Sequence, residues 1–138
     1  MTDKKPIKVA VNGYGVIGKR VANAVAAQDD MDLIGVADVT ADWRARMATT
    51  KGFALYAAAP DRAPAMQAAG LDIAGGLDDL LAAADIVIDC TPKKIAAQNV
   101  ATYRDKGIRF IVHGGEKHGV TGHSFVSEAN YASAVGRD

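Results

Sequence analysis

Six residues near the amino terminus carry the clearest chemical signature of the chain. Gly13-Tyr14-Gly15-Val16-Ile17-Gly18 has the spacing G-x-G-x-x-G. Between a strand and a helix, each glycine has its own purpose. The first permits a tight turn, the second lets main chain approach a pyrophosphate with no Cβ in the way, and the third lets the helix lie close to the sheet. Free N–H groups and the dipole at the helix start then favour phosphate. Asp38 stands 20 residues after Gly18 and closes the run Leu33-Ile34-Gly35-Val36-Ala37. A carboxylate there accepts hydrogen bonds from ribose hydroxyls and repels a 2′-phosphate, which favours NAD over NADP.

Other reactive side chains give weaker signals. Cys90 is the single cysteine. It follows an apolar run and precedes Thr91-Pro92, so packing is its expected role, although Lys93 and Lys94 stand close by. His113, His118 and His123 are spaced five and five with Glu116 between them, unlike the shorter cysteine-containing spacings of zinc sites. No metal is expected. Lys117 reads as a solvated surface residue. Lys19 and Arg20 lie beyond the first turn of the helix and are expected to face solvent or a partner. Trp43 and Tyr56 read as packing residues, with Trp43 close enough to Asp38 to shield an adenine.

The elements that must hold these residues alternate. Ile7 to Val11 reads as a buried strand ending at the glycines, and Ile17 to Gln28 as a helix. Leu33 to Val39 is a second strand. Asp42 caps a helix running to about Thr50. Phe53 to Ala57 is a third apolar run, Ala63 to Ala69 a short helix, Asp72 to Ala74 a minor strand and Leu77 to Ala83 another helix. Ile86 to Ile88 is a compact strand. Lys93 to Lys106 is a helix with Gly107 just past its end, and Arg109 to Val112 is the last strand. Such alternation implies βαβ units: an α/β doubly wound, mostly parallel, Rossmann-type sheet in a single domain over residues 1–138.

Composition narrows the function classes. Sixteen basic and sixteen acidic residues give a net charge of zero, which speaks against a nucleic-acid binder with a broad basic face. One cysteine excludes an internal disulfide. There is no apolar stretch of membrane-spanning length and no secretory leader, so the expectation is a soluble, cytoplasmic protein.

Val11-Asn12-Gly13-Tyr14-Gly15-Val16-Ile17-Gly18-Lys19-Arg20-Val21-Ala22 resembles the opening of the archaeal-type (type II) phosphorylating glyceraldehyde-3-phosphate dehydrogenases. Three further segments match in order: Ala45-Arg46-Met47-Ala48, Asp85-Ile86-Val87-Ile88-Asp89-Cys90-Thr91-Pro92 and Gly114-Gly115-Glu116-Lys117-His118. The resemblance implies a cofactor domain in which Val16 and Ile17 touch the dinucleotide at the helix start. It also implies that Gly114 contacts the cofactor, and that Thr91 and Pro92 lie near its ribose or nicotinamide. Members of that family often carry basic residues at the positions of Asp38 and Thr40, which suits NADP. Here both charges are missing, so NAD is the expected cofactor and NADP the second choice. Members continue into a catalytic domain with a nucleophilic cysteine, and residues 1–138 stop short of the matching position. The implied unit is thus a cofactor domain that does not turn over alone, with the missing catalytic domain as its partner and self-association into a homo-oligomer as a consequence of the surface left open. Two alternatives differ in class: a stand-alone nucleotide-binding sensor, and the cofactor domain of another dehydrogenase or reductase acting on a semialdehyde or a dihydropicolinate.

Overall fold

A computed structural model describes residues 5–113 and 120–121. Among the described residues six strands and five α-helices alternate: β1 (Ile7–Asn12), α1 (Val16–Ala26), β2 (Met31–Asp38), α2 (Trp43–Thr50), β3 (Leu55–Ala57), α3 (Ala63–Ala68), β4 (Ile73–Gly76), α4 (Leu77–Ala83), β5 (Ile86–Asp89), α5 (Ile95–Lys106) and β6 (Arg109–Val112). A 3-10 turn, Pro60–Arg62, precedes α3. The strands form one sheet in the order β4-β3-β2-β1-β5-β6, and every pairing is parallel. The expected doubly wound Rossmann-type sheet is therefore what forms. The order reverses at β1, because β2 and β5 flank it. Ligands of open α/β sheets bind at the carboxyl ends of the strands at such a reversal.

Side chains of a strand alternate between faces, and here each face has its own core. Val11, Val36, Leu55 and Ala57 pack with Ala22 of α1, Ala45 and Ala48 of α2 and Met66 of α3. Ala10, Ala37 and Val87 pack with Leu80 and Leu81 of α4 and Tyr103 of α5. Close approach sets some residue choices. A Cβ on Gly35 would lie 2.6 Å from the Tyr56 ring and 2.9 Å from Leu80, so glycine in mid-strand is what lets those two side chains close the second core.

Several boundaries differ from the sequence reading. The third strand begins at Leu55, not Phe53, because Phe53 leaves the sheet to meet Tyr14 edge-on at 6.5 Å. The fourth strand extends through Gly75 and Gly76. Helix α5 begins at Ile95, because Lys94 has a φ of 76°, outside the helical range. Its end matches expectation, with Gly107 left-handed at φ 67°. Asp42 caps α2 as expected, accepting from the Arg44 N–H at 2.9 Å. None of the helices among the described residues is long and apolar enough to cross a membrane.

Candidate functional site

Two of the three glycines, Gly13 and Gly18, stack in a column at the carboxyl end of β1. Gly13 adopts a φ of +96°, and a Cβ there would come within 2.9 Å of the Cys90 carbonyl group and the Thr91 nitrogen. Gly18 lies directly beneath, where a Cβ would overlap the Gly13 carbonyl oxygen. Both positions demand glycine for close approach. Gly15 is different: a Cβ there would meet nothing within 4 Å. Its backbone faces open space at the N-cap of α1, and no side chain caps that helix. Helix α2 is capped by Asp42, and α4 has Asp79 accepting from the Gly76 N–H at 2.9 Å. Helices α3 and α5 also lack a side-chain cap, but at α1 the uncapped start coincides with the open space at Gly15, the opening an anionic ligand needs. A pyrophosphate fits this cradle.

Tyr14 is placed differently from its neighbours. Its ring is fully buried, and burial pushes its phenol pKa up. Its main-chain N–H is given to Asp38. Val16 and Ile17 are 59% and 41% exposed at the helix start.

Asp38 sits at the end of β2 and is half-buried. One oxygen accepts the Tyr14 N–H at 2.9 Å, while the other accepts Val39 N–H at 2.6 Å and Thr40 N–H at 3.4 Å. It thus caps the loop and ties it to the glycine turn. Three of its roughly four lone-pair sites are taken, which leaves room for one further hydroxyl donor. Beside it lies a small hollow lined by Tyr14, Gly15, Val16, Lys19, Trp43 and Arg44. Trp43 is 59% exposed, so it is not the core residue its type suggested. Lys19 Nζ lies over its ring at 5.7 Å, and the Arg44 guanidinium at the same distance. Lys19 therefore folds over an aromatic face instead of standing free in solvent.

Thr91 and Pro92 follow β5 across the crevice. Thr91 is half-buried, and its hydroxyl and N–H both donate to the same Asp89 oxygen; Pro92 is exposed. Cys90 lies between the two turns. Burial, then the adjacent Asp89 charge, push its thiol up to about 12, so it is a packed thiol and no nucleophile at neutral pH. Gly114, Glu116, Lys117, His118 and His123 lie outside the described residues. The larger hollow, about 830 Å³, is at the opposite, amino end of β1, β5 and β6 and includes Ile7, Asp85 and Arg109; the residues considered above are not part of it.

The sequence reading missed the polar group under the glycine turn. Asn12 and Asp89 are fully buried and meet at Tyr103 of α5. A polar residue closing each of two apolar strand runs was the available signal.

Fold and column together define a dinucleotide-binding domain of the Rossmann type. Residues 7–124 match the family described as "Dihydrodipicolinate reductase, N-terminus", and the chain belongs to that family. At closer range it is similar to glyceraldehyde-3-phosphate dehydrogenases of archaea. It is 53% identical over 130 residues to the enzyme of Methanothermus fervidus. It is 52% identical over 132 residues to that of Methanothermobacter thermautotrophicus, and 47% identical over 132 residues to that of Thermococcus kodakarensis. These alignments cover 94–96% of the chain but only 39–40% of the relatives, so the chain spans about two fifths of their length. Among solved structures, GenD2 from gentamicin A biosynthesis in complex with NAD superposes with a TM-score of 0.60 at 22% identity, over 81% of this chain and 28% of the other. The apo scyllo-inositol dehydrogenase of Lactobacillus casei gives 0.57 at 18% identity, over 78% and 28%. At such identities these two speak for the fold alone.

Proposed function

We propose that residues 1–138 form a single cofactor domain that holds NAD for a phosphorylating glyceraldehyde-3-phosphate dehydrogenase. The observation that carries this reading is the glycine column, which leaves Gly15 open in front of an uncapped α1. Gly15, Val16 and Ile17 would border the pyrophosphate, Gly13 and Gly18 would allow the tight turn and the close helix packing behind it, and Tyr14 would act through its N–H to Asp38. Asp38 would accept from a hydroxyl of the adenosine ribose, Thr91 and Pro92 would border the nicotinamide half, and Gly114, outside the described residues, would contact the cofactor as the resemblance implies. When bound, the nicotinamide supplies a hydride acceptor. The acyl step of the relatives' reaction needs a reactive thiolate, and Cys90 does not meet that need. The domain is therefore the binding half of the activity, working with a separate catalytic domain and without turnover by itself.

Asp38 supports NAD over NADP, because in this reading its carboxylate would repel a 2′-phosphate, while its last acceptor site suits a hydroxyl. Lys19 and Arg44 across the hollow would offset part of that repulsion, which makes NADP the second, weaker ligand of this reading. The family match supports a second reading, the cofactor domain of a reductase; about 50% identity to the dehydrogenases weighs against it. The test is a calorimetric titration with NAD and NADP at equal ionic strength. NAD is expected to bind tighter, and Asp38→Asn to narrow the gap. Equal affinities for the two in the wild-type chain would refute the role of Asp38. Binding of neither would refute the cofactor reading.

A further inference from the structure

Asp89 is fully buried at the end of β5, directly behind the crevice. Its carboxylate is filled by four donated hydrogen bonds. Tyr103 Oη and Asn99 Nδ2, both on α5, donate to Oδ2 at 2.6 and 3.0 Å. The N–H and hydroxyl of Thr91 donate to Oδ1. Tyr103 also accepts from Asn12 Nδ2 at 2.8 Å, and Asn12 is the residue just before Gly13. The Cys90 N–H donates to the Asn12 carbonyl at 2.7 Å. One connected group thus joins the residue before the glycine turn, the turn after β5 and a helix of the opposite layer.

A purely packing position would not need this arrangement. Burying a carboxylate is unfavourable unless its acceptors are satisfied, and an apolar residue of similar size usually serves stability as well or better. A buried carboxylate with all its acceptor sites filled does bring rigidity, and here the one open position of the group is Asn12 Oδ1, which has no hydrogen-bond partner. That rigidity is applied where there is no slack, since Gly13 rests in tight contact with Cys90 and Thr91. A displacement of the Asp89–Thr91 turn towards β1 would therefore press on Gly13.

We propose that Asp89 is a positioning residue for the dinucleotide. Anchored by Tyr103 and Asn99, it fixes the Thr91 turn on which Gly13 rests, and so sets the phosphate-binding amides against the nicotinamide side of the crevice. The inference rests on the cofactor reading above. Burial, reinforced by the Asp89 charge, pushes the Tyr103 phenol up, so it stays a donor throughout the neutral range.

The experiment compares Tyr103→Phe and Asn99→Ala, which each remove a donor to Asp89, with Val100→Ala, which loosens the same helix and leaves the network intact. Melting temperature, NAD affinity and AMP affinity are measured for each. The expected result is that NAD binding weakens about tenfold in the first two variants. AMP binding, which engages the adenosine end near Asp38, should stay within about twofold, and Val100→Ala should melt lower with NAD affinity unchanged. Should Tyr103→Phe fail to fold, Asn99→Ala at its half-buried site carries the same comparison. The proposal is overturned if the network variants melt lower but bind NAD like wild type, or if all three lose NAD in step with stability. A wild-type chain that binds neither NAD nor NADP overturns the cofactor reading itself and this inference with it, a result visible in the wild-type arm alone.

Discussion

The methyl group of a Gly15→Ala variant would meet nothing within 4 Å in the free protein. The backbone there, φ −82° and ψ −155°, is extended and open to alanine. Two small effects on stability oppose one another. Alanine is a poorer N-cap than glycine, by somewhat under 1 kcal/mol. It also restricts the unfolded chain, which stabilises by about 0.4–1 kcal/mol. The sum is near zero, so the melting temperature should move by no more than about 4 °C. Ligand binding should respond very differently. A charge-assisted N–H···O contact brings phosphate oxygens to about 2.8 Å of the main chain, whereas a methyl carbon holds them at about 3.5 Å or more. Losing one such bond costs about 1.5–3 kcal/mol, so NAD affinity should fall roughly 10- to 150-fold. Trp43 is the sole tryptophan and lines the same hollow as Gly15, so its fluorescence follows the titration directly, with calorimetry as the second method. A folded Gly15→Ala protein that binds NAD within twofold of wild type would refute the placement of pyrophosphate at this helix start.

The other two glycines should behave in the opposite way. Gly13→Ala and Gly18→Ala force a Cβ onto backbone atoms of Cys90 and Thr91, or of Gly13 itself, and should each lose about 2–5 kcal/mol of stability, read from urea unfolding; a loss below 1 kcal/mol would contradict the packed column. Asp42→Ala should lower stability by about 1 kcal/mol through the lost cap on α2, and leave NAD affinity intact; calorimetry on the folded variant checks the second half. Stability should also fall in alkali. Burial, then Asp89, raise Cys90 from 9.0 to about 12, so the folded state keeps a proton that the unfolded chain releases. That contribution is complete below pH 9 and is lost as pH rises towards 12. A Cys90→Ala variant should flatten part of this decline in urea midpoints measured from pH 7 to 11, and an unchanged slope would argue against a buried thiol.

How far the sequence discloses such a site depends on which physical signal each residue carries. Gly13, Gly15 and Gly18 are legible because their spacing follows from local geometry: a turn, an open amide and a helix lying flat on its strand all fall within six residues. Asp38 is legible for the same reason, since a strand of fixed rise must deliver its last residue beside that turn. Its hydrogen bond to the Tyr14 N–H is the tertiary consequence. Trp43 and Lys19 were misjudged because exposure of a large side chain is decided by how two helix starts face each other, and periodicity within either helix is silent on that. Asn12, Asp89 and Tyr103 were invisible as a group for a stronger reason. Asn12 lies 91 positions from Tyr103, on an element of the opposite layer, and each residue alone looks like a polar end to an apolar run or a surface-capable aromatic. Only the parallel register Asn12↔Asp89 brings the two strand ends level, and only α5 supplies the hydroxyl between them. Local chemistry thus writes the phosphate cradle into consecutive residues, whereas the parts that hold it rigid are distributed across the fold. Substitutions at Gly15 and at Tyr103 therefore test two separate things: whether the cradle takes a pyrophosphate, and whether its stiffness contributes to affinity.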